Sequence, residues 1–150
     1  MKIKPYYVLL IALLSGVGFS WFTVISDFIR FQKIYGTMFK VAGCSVPNPV
    51  TTPCFYGAIA FLISLVLLIQ KKYSYLKYLL IGGTIFAWTN FIYEAIKFYL
   101  PSNTSKVGCS GIIVESIFRT PCFYGAVIYL ICLLIFIKFQ SGHFSNKELK

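Results

Sequence analysis

Charge is scarce in this chain. Only 12% of its 150 residues are Asp, Glu, Lys or Arg, and four of those are acidic. A soluble globular domain carries about one quarter charged residues, so the composition excludes an ordinary water-soluble fold. Histidine occurs once, as His143 in the polar tail, which leaves no Ser–His or Cys–His catalytic arrangement. A glycine-rich phosphate loop is absent. So is the closely spaced Cys-x-x-Cys pair of a zinc ribbon, which argues against a metal site.

What the chain has in excess is apolar side chains: 58% of its residues, with a mean hydropathy of +0.78. They fall in four blocks, over residues 6–29, 54–70, 76–100 and 122–137. A membrane span needs about 20 such residues. The second block is short, but Pro53 suits a helix start and Lys71 and Lys72 can snorkel from its far end. The first block also fits a secretory signal, with a basic start and small residues near Gly18 and Ser20. The internal match of residues 21–30, described next, argues against removal of that block. The formal charge of +10 lies at the block edges, as lipid-headgroup anchors do, and not in a patch suited to nucleic acid. Residues 31–39, with Phe31, Ile34, Met38 and Phe39 beside Lys33 and Lys40, suggest a short helix on the membrane surface. Asn103-Thr104-Ser105 fits a glycosylation acceptor, a pattern that recurs by chance.

Gly43-Cys44-Ser45 returns as Gly108-Cys109-Ser110, and 52–58, Thr-Pro-Cys-Phe-Tyr-Gly-Ala, returns at 120–126. Upstream, Trp21, Asp27 and Arg30 correspond to Trp88, Glu94 and Lys97, all offset by 67 residues. Gly82 and Gly83 align on Ser15 and Gly16, small residues that let helices approach closely. Two copies of one unit are therefore expected: repeat 1 over about 6–70, repeat 2 over about 75–138, and a polar cytoplasmic tail over 139–150. The expected fold is an all-α membrane bundle of four transmembrane helices, arranged as two parallel two-helix repeats. The short lysine-rich segments put both termini in the cytoplasm and both cysteine loops outside.

Four of the five cysteines form two loop pairs, Cys44 with Cys54 and Cys109 with Cys122. Outside the cytoplasm such pairs are normally oxidised. If a single unit was duplicated, its bond closed within the unit, which makes the pairs local. One reading is structural: each bond staples a loop to a helix start, worth about 3 kcal/mol in the chain-entropy model. The other is redox. Cys54 and Cys122 each follow a proline that opens a helix, where unpaired N–H groups favour a thiolate, and Arg119 adds positive charge near Cys122. That arrangement suits disulfide transfer between proteins and a lipid-soluble quinone. Cys132, alone in the fourth block, reads as a small buried hydrophobe.

Four spans with a cysteine pair in each of two outward loops resemble the bacterial disulfide-bond formation protein B family. Cys44-Ser45 followed by Pro53-Cys54-Phe55-Tyr56-Gly57 is also similar to the loop-to-helix junction of vitamin K epoxide reductases. The resemblance implies a thiol oxidoreductase that uses a quinone and a soluble thiol partner. Both families use a Cys-x-x-Cys pair that this chain lacks.

Phe55, Tyr56, Phe123 and Tyr124 are the aromatics suited to a quinone or lipid tail, though packing explains them equally well. Asp27 and Glu94 lie near the outer ends of the first and third helices, each with a base three residues on (Arg30, Lys97), within i,i+3 reach. They read either as interfacial ion pairs or as a symmetric carboxylate pair on a transport pathway. Three functions thus stand side by side: a quinone-linked thiol–disulfide oxidoreductase, an accessory subunit of a membrane complex with two structural disulfides, and a small transporter or channel.

Overall fold

The computed structural model describes residues 5–38, 48–100 and 115–145, all helix or connecting turn. Its four helices are α1 (Pro5–Tyr35), α2 (Pro53–Ile69), α3 (Tyr73–Tyr99) and α4 (Pro121–Ser145). Pro5, Pro53 and Pro121 are each the first residue of a helix, where a missing N–H costs nothing and the fixed φ is already helical. Among the described residues no helix interior contains a proline. Three segments are long and apolar enough to cross a membrane: Tyr6–Tyr35, Tyr73–Tyr99 and Pro121–Ser141. At 17 residues and 1.5 Å per residue, α2 reaches about 26 Å, slightly less than the hydrocarbon thickness.

The ends of the helices have local causes. Gly36 terminates α1 in the left-handed region, φ +69°, and its N–H returns to the Gln32 carbonyl at 2.8 Å. The surface helix expected after the first span is not separate. Residues 31–35 continue α1, and Phe31 is buried at 1% exposure. The reason is visible in the spacing of buried positions along α1, namely Leu9, Leu13, Gly16, Ser20, Val24, Asp27 and Phe31, steps of three and four that keep one face inward. Phe39 and Lys40 lie outside the described residues. At the end of α2 the N–H of Lys71 bonds to the Leu68 carbonyl and that of Lys72 to the Leu67 carbonyl, both at 3.0 Å. This is a Schellman closure with Lys71 at φ +57° where glycine is usual.

Around the bundle α1 touches α2 and α4, and α3 touches α4 and α2. Helices α2 and α4 also meet across the middle. Successive helices run antiparallel, so the starts of α2 and α4 lie at the same end as the ends of α1 and α3. Leu9, Leu13, Leu68, Leu76, Leu80, Cys132 and Phe136 fill the opposite half of the core at 0% exposure. The outer surfaces carry large apolar side chains, among them Phe22, Ile85, Tyr78 and Tyr99. An apolar exterior of this extent fits lipid rather than water.

The middle of the bundle is held by two glycine–aromatic contacts. A Cβ on Gly16 would sit 2.5 Å from Cε1 of Phe61, and one on Gly83 would sit 2.5 Å from Cε1 of Tyr129. Only a bare backbone allows α1 to approach the Phe61 ring and α3 the Tyr129 ring so closely. The two rings then stack, with centroids 3.9 Å apart and planes 28° from parallel.

Candidate functional site: the paired helix starts

Above this stack the two proline-led helix starts face one another. Each is prepared by a short 3-10 turn, Pro49–Thr51 before α2 and Ile117–Arg119 before α4. Thr52 and Thr120 follow, both buried, and the Thr52 side chain does not cap α2. Their hydroxyls instead donate back to the carbonyls of Pro49 and Ile117, each at 2.7 Å. That bond ties the turn to the helix start and sets the direction in which the next side chains leave.

The consequence is that Cys54 and Cys122 project toward each other. Their Sγ atoms lie 3.7 Å apart, a van der Waals contact, since a disulfide bond measures about 2.05 Å. Cys54 is a free thiol, so the local Cys44–Cys54 bond expected from the repeat is not formed. The partners expected for the two local bonds, Cys44 and Cys109, lie outside the described residues, as does the Asn103 acceptor. Cys132 is also a free thiol, fully buried among core side chains. Among the described residues no group of three or more His, Cys, Asp or Glu side chains is placed to hold a metal ion.

The two sulfurs roof a cavity of about 50 Å³ floored by Phe61 and Tyr129, with Ser20 and Thr23 of α1 and Asn90 of α3 on its sides. It is wide enough for a few water molecules and small beside the usual ligand pocket. The four aromatics expected to hold a quinone ring do not line this cavity. Phe55 packs edge-on against Phe28, with centroids 6.4 Å apart, Phe123 against Phe91 at 5.2 Å, and Tyr124 against Phe19 at 6.0 Å. Tyr56 is exposed on the outer surface.

Arg119 is exposed and pairs with Glu115 at 3.8 Å, so solvent screens much of its charge. Asp27 is buried at 7% exposure and pairs with Arg30, the i,i+3 partner expected. Its Oδ2 is buried with no hydrogen-bond partner. Glu94 is half-buried, and the Lys97 ammonium lies 4.4 Å from the Tyr93 ring centroid. The carboxyls of Asp27 and Glu94 are both within electrostatic reach of the Cys54 sulfur. The acids therefore belong to the surroundings of the cysteines.

Reading the residues alone did not find the Phe61–Tyr129 floor or the Ser20, Thr23 and Asn90 walls. Phe61 and Tyr129 do hold equivalent places seven residues after Cys54 and Cys122, a signal that extending the repeat alignment would have reached. The walls carry no such mark, because small polar residues are common in membrane helices and only helix rotation selects those that face inward. No family model matches the chain, and no curated protein or solved structure is similar to it.

Proposed function

We propose that this chain is a membrane thiol–disulfide oxidoreductase built as four spans in two parallel repeats, with exchange taking place between Cys54 and Cys122. The observation that carries the reading is the 3.7 Å contact between a free Cys54 thiol and the Cys122 sulfur. The disulfide-bonded state of Cys122 supports it further, and Cys109 is the partner in this reading. The Cys54 thiolate attacks the Cys122 sulfur, a Cys54–Cys122 bond forms, the old bond breaks, and the former partner leaves as a thiolate. The proton lost by Cys54 balances the one that thiolate takes up, and no net oxidation occurs. Net oxidation of a soluble partner's thiols would use a lipid-soluble two-electron acceptor of the quinone class.

Paired contacts at equivalent places support the repeats: Gly16 on Phe61 and Gly83 on Tyr129, and Thr52 and Thr120 in the same bond to the preceding turn. In this arrangement both cysteine loops lie outside and both termini inside.

The test is oxidation of full-length protein in which Cys44 and Cys109 are replaced by serine. Mild oxidant should convert Cys54 and Cys122 to an intramolecular disulfide, identified by non-reducing peptide mapping, while Cys132 remains unmodified. In the unaltered protein, acid-quenched thiol trapping should find the Cys54–Cys122 bond as a minor exchanging species. A chain in which Cys54 and Cys122 resist oxidation and the Cys122 bond never exchanges would be an accessory subunit with an inert staple.

A further inference from the structure

The two seams between the repeats are not alike. Between α2 and α3 an outward-facing groove of about 550 Å³ is lined by Tyr56 and Ala60 on one side and by Leu79, Gly82, Gly83 and Phe86 on the other, and it ends at Thr51, Pro53 and Asn90. Between α4 and α1 the equivalent aromatics, Tyr124 and Phe19, close on each other in an edge-to-face contact. The equivalent positions differ in both directions: Ile128 stands where the groove has Ala60 and Ser15 where it has Gly82, while Ala12 stands where it has Leu79. Ala60 and Ile128 both pack onto the core cluster, and they differ in the bulk each brings to its helix.

The groove adjoins the cysteine cavity, and Pro53, Phe86 and Asn90 line both. Its volume lies in the range of ligand sites. Among the described residues no charged side chain lines it; its polar groups, Thr51, Tyr56 and Asn90, lie toward the cysteine end, and Leu79, Gly82 and Gly83 make the far part apolar. A charged headgroup would find no counter-ion among these groups and would lose its hydration, whereas an uncharged head could form hydrogen bonds and a hydrocarbon tail could lie along the glycines. We propose that the α2–α3 groove is a lateral binding site for an uncharged, hydrocarbon-tailed amphiphile, which reaches the Cys54 end of the bundle from the lipid side. The site does not depend on the thiol chemistry, and Cys54→Ser protein should bind equally well.

Two probes distinguish the sources of that chemistry: a photoactivatable ring-headed isoprenoid and a photoactivatable diacylglycerol, each added to full-length Cys54→Ser protein in phosphatidylcholine nanodiscs. At least one should label the peptides covering residues 56–60 and 79–90, and whichever labels is the source. Ala60→Ile and Gly82→Ser import the residues of the closed seam, and a Cβ at Gly82 meets nothing within 4 Å. Each should reduce labelling several-fold, and Gly82→Ser should do so without loss of thermal stability. Ile128→Ala should add label at the α4–α1 seam. Equal labelling of both seams in the unaltered chain, labelling that survives Ala60→Ile, or no labelling by either probe would overturn the proposal.

Discussion

Phe61 and Tyr129 stack at 3.9 Å between centroids, each ring resting on a glycine of its neighbouring helix, Gly16 or Gly83. Four residues from four helices thus set the distance between α1 and α2, between α3 and α4, and across the centre. The Tyr129 hydroxyl reaches the Gly57 carbonyl at 3.4 Å, which adds a polar tie one turn below Cys54.

These glycines should respond to a methyl group according to the space each has. Gly16→Ala and Gly83→Ala place a Cβ 2.5 Å from a ring atom, and each should destabilise the protein by about 1–3 kcal/mol through forced ring displacement. Gly18→Ala and Gly82→Ala meet nothing within 4 Å and should be neutral or stabilising by about 0.5–1 kcal/mol. Denaturation in mixed detergent measures all four. A Gly16→Ala, Phe61→Leu double variant should lose less than the sum of its parts, and strict additivity would show that the contact is not the cause.

The Asp27–Arg30 pair should behave as a partly buried ion pair. Arg30→Ala leaves the buried carboxylate without its partner, beside an Oδ2 that already has none. The loss should be about 1–3 kcal/mol, less than for a fully buried pair because Arg30 is 30% exposed. Asp27→Asn added to Arg30→Ala should restore part of it. Equal stability of the single and double variants, by the same denaturation assay, would place the effect of Arg30 in its packing rather than its charge.

Lys71 occupies a left-handed conformation at the end of α2 at a cost of about 1–2 kcal/mol for a residue with a Cβ. Lys71→Gly should therefore raise stability by up to about 1 kcal/mol, part of the gain being offset by glycine's greater unfolded-state freedom. Thermal unfolding of the purified protein reads this directly. A decrease would mean that the lysine charge at this turn contributes more than the backbone strain costs.

Much of the architecture was legible because its causes are local. Apolar runs of helical length, prolines at residues 53 and 121, and the duplicated Thr-Pro-Cys-Phe-Tyr-Gly-Ala motif locate the helices within a few residues. The i,i+3 spacing of Asp27 and Arg30 specified their pair for the same reason. The end of α1 was misread as a surface helix because Phe31 and Ile34 sit among lysines, and that local composition masked the continuing buried face.

The sequence by itself thus determined helix positions, an apolar exterior and the duplicated cysteine motif, since helix propensity, proline sterics and hydropathy act over a few residues. Only the tertiary structure decided that Cys54 meets Cys122, that Phe61 stacks on Tyr129, and that a groove opens between α2 and α3. Those outcomes depend on how far helices approach and how they rotate, which is set by the summed volumes of side chains many tens of residues apart.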